Sequence, residues 1–401
     1  MTELLLSSPP LENTENSSNL LVIPSSVFPV KFVVSPPSPP LKPHDTLTNS
    51  KSNIFCAEVI CPPNSNWREN VQIAIGCDAA AIIVDVLKLH PGNEDVLDRC
   101  ASSLSHLCHD QATAEQIADQ GGVAAIIASI DANKNISAES LVGGLRMIES
   151  VMNHPTALSK IVNQDLVNKI IDIMNSHLDD PTIMLSCMRA LEKIAKTSEG
   201  LDLIQNADGI RNILNVLDTV AGFAEHGEDD VDIIKRATNI LGRMAKSGDI
   251  IRMIKEAGGV DIYLKVLDAF KDDERIARLG GKFLSRVTGD SVDELIAILN
   301  EKGASAAMIE RTMALLASLA MVGNSSVDIV NGGGCPAITS HLEKAVSDKA
   351  LESTCRALAR LARNAKNIQL LVDSNVIPPL VASLSHKFSS SESRAQAIDA
   401  L

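Results

Sequence analysis

Aromatic residues are close to missing from these 401 residues: there are seven Phe, one Trp and one Tyr. The 45% apolar fraction is therefore mostly Leu, Ile, Val and Ala. Such side chains suit close helix packing and argue against the two or three ordinary globular domains that length alone suggests. No CxxC pair and no dense framework occurs among the eight cysteines, Cys56, Cys61, Cys77, Cys100, Cys108, Cys187, Cys335 and Cys355. A disulfide scaffold is excluded and a reducing compartment, the cytoplasm, is expected. The longest early apolar run, Leu20 to Val34, is broken by Pro24 and Pro29 and has neither a basic leader nor a small-residue cleavage site. Neither a signal peptide nor a membrane span is expected. Residues 1–50 contain no Arg but do contain Glu3, Glu12 and Glu15, which argues against a transit peptide.

Catalytic signatures are missing too. Gly332-Gly333-Gly334 is followed by no GKS or GKT, and neither GxSxG nor HExxH occurs, so no enzyme and no cofactor are expected. Cys100, His106, Cys108 and His109 offer soft metal ligands, but they lack a CxxC clamp and scatter around one helix. Packing is their better reading. Fifty acids against 36 bases leave a net charge of -14, which favours solubility and disfavours general attraction to nucleic acid or anionic lipid.

What is present begins with a head. Residues 1–65 hold 11 of the 17 prolines, with many Ser and Asn, and cannot bury enough apolar surface to offset chain ordering. Residues 1–66 are expected to be disordered, with the folded boundary near Trp67. Within the head, Pro36-Pro37-Ser38-Pro39-Pro40-Leu41-Lys42 reads as a plain Pro-rich linker or as a polyproline II ligand for an SH3-type domain. Ser8-Pro9, Ser35-Pro36 and Ser38-Pro39 have the form of proline-directed phosphorylation sites.

From Trp67 to Leu401 the chain repeats itself. Anchors at Ala79, Val123, Val167, Ile210, Val260, Val292, Cys335 and Ile377 are spaced by 44, 44, 43, 50, 32, 43 and 42 residues. Seven places after them stand Val86, Ile130, Met174, Leu217, Leu267, Leu299, Leu342 and Leu384, one stripe of a helix. Six places before stand Ile73, Ile117, Ile161, Ile204, Ile254, Ile329 and Leu371, marking a short preceding helix; the sixth repeat has Arg286 there instead. A third, longer helix follows, with Leu104, Ile148, Leu191, Leu241, Leu284, Leu316 and Leu358 in one phase. Small residues lie four places earlier, namely Cys100, Gly144, Cys187, Ala237, Gly280, Thr312 and Thr354, as close helix crossing requires.

This three-helix layout resembles the armadillo repeat, with Asp373-Ser374-Asn375-Val376-Ile377-Pro378-Pro379-Leu380-Val381 similar to the family's turn into its second helix. The resemblance covers residues 67–401 and implies an all-α fold, a right-handed α–α superhelix of about eight repeats. It also implies that the third helices line a concave groove for extended peptides. Importin-alpha reads basic import signals there through a ladder of Trp and Asn. The Trp-like positions here are Ser102, Arg146, Arg189, Asn239, Lys282, Ala314 and Arg356, and the Asn-like ones His106, Ser150, Lys193, Arg243, Arg286, Ser318 and Arg360. Neither residue of that ladder is kept.

Cations replace it: Arg146, Arg189, Lys193, Arg243, Lys282, Arg286, Arg356 and Arg360. Such a groove is similar to that of beta-catenin, so extended acidic protein segments are the expected partners of an adaptor or scaffold. Two other readings stand beside it, a structural part of a cytoskeletal or ciliary assembly and nucleic-acid binding along the cationic line. The scarcity of aromatic stacking platforms disfavours the last. The eight cations also read, more plainly, as a solvated helix face whose field neighbouring acids cancel.

Three irregularities complete the pattern. The 50-residue interval carries Glu225-His226-Gly227-Glu228-Asp229-Asp230-Val231-Asp232, read as an acidic loop, either simply solvated or competing for the basic groove. The 32-residue interval leaves the sixth repeat without a first helix, and a kink or altered pitch is expected there. The eighth repeat stops within its third helix at Leu401, short of a polar cap.

Overall fold

The computed structural model describes residues 20–21, 32–33, 74–76 and 78–401, apart from 272, 290, 323, 343, 345–346 and 386–389. In the head, β1 (Leu20–Leu21) pairs antiparallel with β2 (Phe32–Val33). The rest of the head, including the SH3-type candidate at Pro36 to Lys42, lies outside the described residues. The chain divides into two compact units, Met1–Lys160 and Ile161–Leu401.

In the first unit follow α1 (Ala79–Leu89), α2 (Glu94–Leu107), α3 (Gln111–Asp119), α4 (Gly122–Ala132), α5 (Ala138–Met152) and α6 (Pro155–Ile161). The second unit opens with α7 (Gln164–Ser176), α8 (Pro181–Ile194), α9 (Ser198–Asn206), α10 (Gly209–Ala221), α11 (Glu228–Met244) and α12 (Gly248–Glu256). It continues with α13 (Gly259–Ala269), α14 (Glu274–Thr288), α15 (Val292–Asn300), α16 (Ala306–Leu319) and α17 (Ser325–Asn331). Its last elements are α18 (Gly334–Thr339), α19 (Asp348–Ala362), α20 (Ala365–Asp373), α21 (Ile377–Ser383) and α22 (Ser391–Ala400). The third helices stack on one another in order: α2 on α5 in the first unit, and α8, α11, α14, α16, α19 and α22 in the second.

Seven of the eight third helices begin at a side-chain cap, the exception being α11, which starts after Gly227. Asn93, Ser137, Asp180, Asp273, Ser305, Ser347 and Ser390 each accept a backbone N–H of the first turn, satisfying donors that a helix leaves open. The stripe residues Leu104, Ile148, Leu191, Leu241 and Leu284 are completely buried, and each such side chain stabilises the fold by about 1.5–3 kcal/mol. At the small positions, a Cβ on Gly280 would lie 2.6 Å from the Tyr263 ring and 2.8 Å from Leu267, so α14 and α13 touch through that missing atom. The Tyr263 ring is wholly buried; its hydroxyl lies 2.7 Å from that of Thr238, and burial pushes its pKa up.

The turn into the second helix combines two separate requirements. Its first residue is left-handed, at φ 73° for Gly121, 76° for Gly258 and 85° for Gly333. Asp78, Asp208 and Asn375 fill the same place at φ 53–55°, the short polar residues that tolerate it best after glycine. The second residue is glycine in four of these turns for a different reason, since on Gly259 a Cβ would meet Ile254 Cγ2 at 2.6 Å and the Ile254 carbonyl oxygen at 2.8 Å. Ile254 belongs to the set six places before the anchors, of which Ile117, Ile204 and Ile329 are likewise fully buried.

Two expectations are corrected by this geometry. In the first repeat the register lies one residue later than the anchor Ala79, because the left-handed residue is Asp78. Ala80, Val84 and Leu87 are the buried stripe, and Val86 is only half-buried. The acidic run 225–232 is not a loop throughout, because α11 starts at Glu228. Carboxylates in a first turn are favoured by the helix dipole, and Asp230 accepts the Gly227 N–H at 2.7 Å. Glu228 pairs with Arg275 at 3.2 Å and His226 stacks on Phe270 at 4.2 Å, which ties the run to the corner between α13 and α14.

In the sixth repeat α14 passes to α15 without a first helix. Ser291 and Glu294 close a reciprocal cap there, the Glu294 N–H donating to Ser291 Oγ and the Ser291 N–H to Glu294 Oε2. Without that helix, α13 of the fifth repeat packs directly on α16 of the sixth.

The two glycines of the turn should respond differently to substitution. Gly259→Ala is expected to lower stability by about 1–3 kcal/mol through overpacking, whereas Gly258→Asn should cost less than about 1 kcal/mol, since Asn is tolerated in that conformation. Urea unfolding of both variants checks this, and equal losses would refute the division of roles.

Candidate partner-binding face

The eight cations fall into two sets by their place on the third helices. In the first set Arg146 on α5 and Lys282 on α14 are exposed, Arg189 on α8 is half-buried, and Arg356 on α19 is buried. Arg189 lies close enough to Asp232 to help hold its carboxyl below the usual range, although the hydrogen bond from Lys235 is the largest cause. In the second set Lys193 is half-buried, Arg243 and Arg286 are exposed, and Arg360 is buried.

The second set has a structural occupation that its spacing does not reveal. Arg243 donates from Nε to the Ala195 carbonyl at 2.9 Å and from Nη2 to the Lys196 carbonyl at 3.1 Å, at the end of the preceding third helix. Arg286 donates to the Gly242 carbonyl and Arg360 to the Ala317 carbonyl at 3.3 Å. Carbonyls near a helix C-terminus carry partial negative charge and lack intrahelical donors. These guanidinium groups staple one third helix to the next.

Arg356 and Arg360 go further and are engaged on several sides. Arg356 pairs with Glu352 and lies 3.7 Å from Asp268, while Arg360 also donates to the Lys271 carbonyl at 3.0 Å. On α8, α11 and α14 the structure brings Arg189, Lys193, Arg243, Lys282 and Arg286 onto adjacent helices of one unit, whereas Arg146 stands on the first unit. Acids are interleaved with them: Glu192 pairs with Arg236, and Asp232 with Lys235 at 2.8 Å.

Cys100, Cys108, Cys187, Cys335 and Cys355 are buried thiols, and burial pushes that of Cys108 up to about 12. His106 Nδ1 lies 2.7 Å from the Ser102 carbonyl oxygen. Among the described residues no group of three or more His, Cys, Asp and Glu is placed to hold a metal ion, and no helix is long and apolar enough to cross a membrane.

A family model described as the GAC ARM domain matches residues 55–401. The chain belongs to this armadillo-repeat family. Among solved structures, one chain comes from work on the conserved phosphorylation switch that controls the interaction between cadherin and beta-catenin. It is similar over 89% of this chain and 73% of that one, at 10% identity and a TM-score of 0.52. An engineered protein is similar over 89% of this chain and 95% of that one, at 18% identity and a TM-score of 0.42. No curated protein matches. At these identities the likeness to the first structure is one of fold, and an armadillo array of this kind is a protein-binding scaffold.

The two kinds of cation predict two kinds of variant. Arg360→Ala should lower stability by about 1–3 kcal/mol, since it strips buried carbonyls of a charged donor. Arg360→Lys should not restore it, because one ammonium lacks the forked geometry that serves two acceptors. Arg146→Ala should fall within about 0.5 kcal/mol of the parent, as exposed substitutions do. Denaturant unfolding of the three variants measures the ordering, and an Arg360→Ala protein as stable as the parent would remove the staple from the account.

Proposed function

We propose that the armadillo array is a cytoplasmic adaptor that binds extended acidic protein segments across the third helices α8, α11 and α14. The observation that carries this reading is a set of cations, Arg189, Lys193, Arg243, Lys282 and Arg286, on adjacent stacked helices of a chain whose net charge is -14. Arginine and lysine at such spacing suit carboxylates or phosphates along an extended chain.

Magnitudes define what the partner must bring. An exposed ion pair contributes about 0.5 kcal/mol, so even eight would give about 4 kcal/mol and an affinity near the millimolar range. A tight ligand therefore needs apolar side chains between its acids. Salt sensitivity follows from the same numbers, because exposed pairs are screened over a Debye length of about 10 Å at 0.1 M salt. The buried thiols of Cys108, Cys187, Cys335 and Cys355 support a reducing compartment.

Arg189 and Lys282 are the informative residues to change, since Arg243 and Arg286 also hold neighbouring helices together. The double reversal Arg189→Glu/Lys282→Glu is expected to weaken binding of a fluorescent Glu/Leu-rich peptide by more than about tenfold at low salt. The melting temperature should stay within about 2 °C of the parent. Fluorescence anisotropy beside a thermal melt tests this, and unchanged affinity in a folded variant would reject the face as the binding site.

A further inference from the structure

The corner between α13 and α14, at Asp268, Lys271 and Glu274, is met by α19 from two repeats further along. Lys349 Nζ lies 3.2 Å and Arg356 Nη1 3.7 Å from the Asp268 carboxylate. Lys271 Nζ lies 3.3 Å from Glu352, Arg360 Nη2 donates to the Lys271 carbonyl at 3.0 Å, and Arg363 pairs with Glu274. The staples of Arg243 and Arg286 reach only the adjacent repeat, whereas these contacts skip one. Shortening of the sixth repeat is what brings the corner within reach.

The contact is polar and incompletely closed. A cleft of about 290 Å³ remains between α13, α16 and α19, with Asp268, Lys349, Arg356 and Arg360 in its walls. Arg356 Nε is buried there without a hydrogen-bond partner. A contact made of ion pairs over an open cleft belongs to the low-stability end of a fold, where local opening occurs. What Asp268 and Glu274 present to α19 is chemically an acidic segment: two carboxylates six residues apart in the chain.

We propose that this corner is a latch that occupies Arg356 and Arg363 in place of a partner's carboxylates, so that an acidic segment binding on α19 displaces it. The proposal rests on the acidic-segment reading above and extends it to a masked part of the same array. A ligand that binds only the unlatched form has its apparent affinity reduced by the fraction unlatched, and weakening the latch removes that reduction.

The test uses the full chain, a fluorescent Glu/Leu-rich peptide and two charge-matched double variants. Asp268→Asn/Glu274→Gln weakens the latch, while Glu199→Gln/Asp202→Asn removes the same charge from the exposed face of α9. The latch variant should bind the peptide about three- to tenfold more tightly than the parent at low salt, and the α9 variant should match the parent. Backbone hydrogen exchange over 348–362 should rise in the free latch variant and be unchanged in the α9 variant. Equal affinities in all three proteins, or equal gains in both variants, overturn the latch and leave the acidic-segment reading standing. Binding by none of the three overturns both.

Discussion

The repeating structure depends most on one contact, made in four of the repeats, the isoleucine of the first helix seated against the glycine that opens the second. Ile254 Cγ2 and its carbonyl oxygen occupy the space a Cβ of Gly259 would need, and Ile117 with Gly122 and Ile329 with Gly334 repeat the arrangement. The pair fixes the angle at which the second helix leaves the first, and that angle places the third helix. Once it is set, Leu241, Leu284 and their counterparts fall inward without further instruction, since side chains three and seven residues apart share a helix face. A β-carbon at the glycine would force the two helices apart along their whole length. The cost would fall on packing several residues away.

Much of this was legible in the sequence because it is periodic. Ile at minus six and Gly at minus one recur at a spacing that chance does not produce, and the third-helix stripe recurs with its small residue four places earlier. The register error in the first repeat has a plain cause. Asp78 supplies the left-handed turn that Gly121 and Gly258 supply elsewhere, and without a glycine pair the sequence pattern points to Ala79 instead of Ala80. The acidic run misled for a related reason, because residues that look like a solvated loop are also those that open a helix. The stapling role of Arg243, Arg286 and Arg360 left no trace in the spacing. Their acceptors are backbone carbonyls some 43 to 89 residues away, and carbonyls have no sequence.

The lengthened fourth repeat and the shortened sixth meet at one place. Extra sequence after α10 puts His226 on Phe270 and Glu228 on Arg275, while loss of a first helix before α15 lets α19 reach Asp268, Lys271 and Glu274. The corner at Asp268, Phe270, Lys271, Glu274 and Arg275 is therefore held from both sides by elements that a regular array would keep apart. Neighbouring repeats of constant length bury their flanks on one another, and a missing helix would uncover the flank of α13. Packing of α16 directly on α13 restores part of that burial. The remainder is the charged cleft, since two rigid helix pairs brought together without their spacer meet along an edge and leave a wedge between them.

Charge in this protein is divided by the work it does and cannot be read from the total. A guanidinium that caps a helix end spends its donors on carbonyls but keeps its positive charge, because the acceptors are neutral. Arg243 and Arg286 can therefore hold two helices together and still contribute to the potential outside. Arg356 cannot, as Glu352 and Asp268 already compensate it inside the fold. The cationic line that spacing draws along eight positions thus splits physically into a stretch on α8, α11 and α14 whose field reaches solvent and a stretch on α19 whose field is met by the protein's own carboxylates. An acidic ligand would be drawn first to the former, and the chain of helices between them sets how far it must extend to reach the latter.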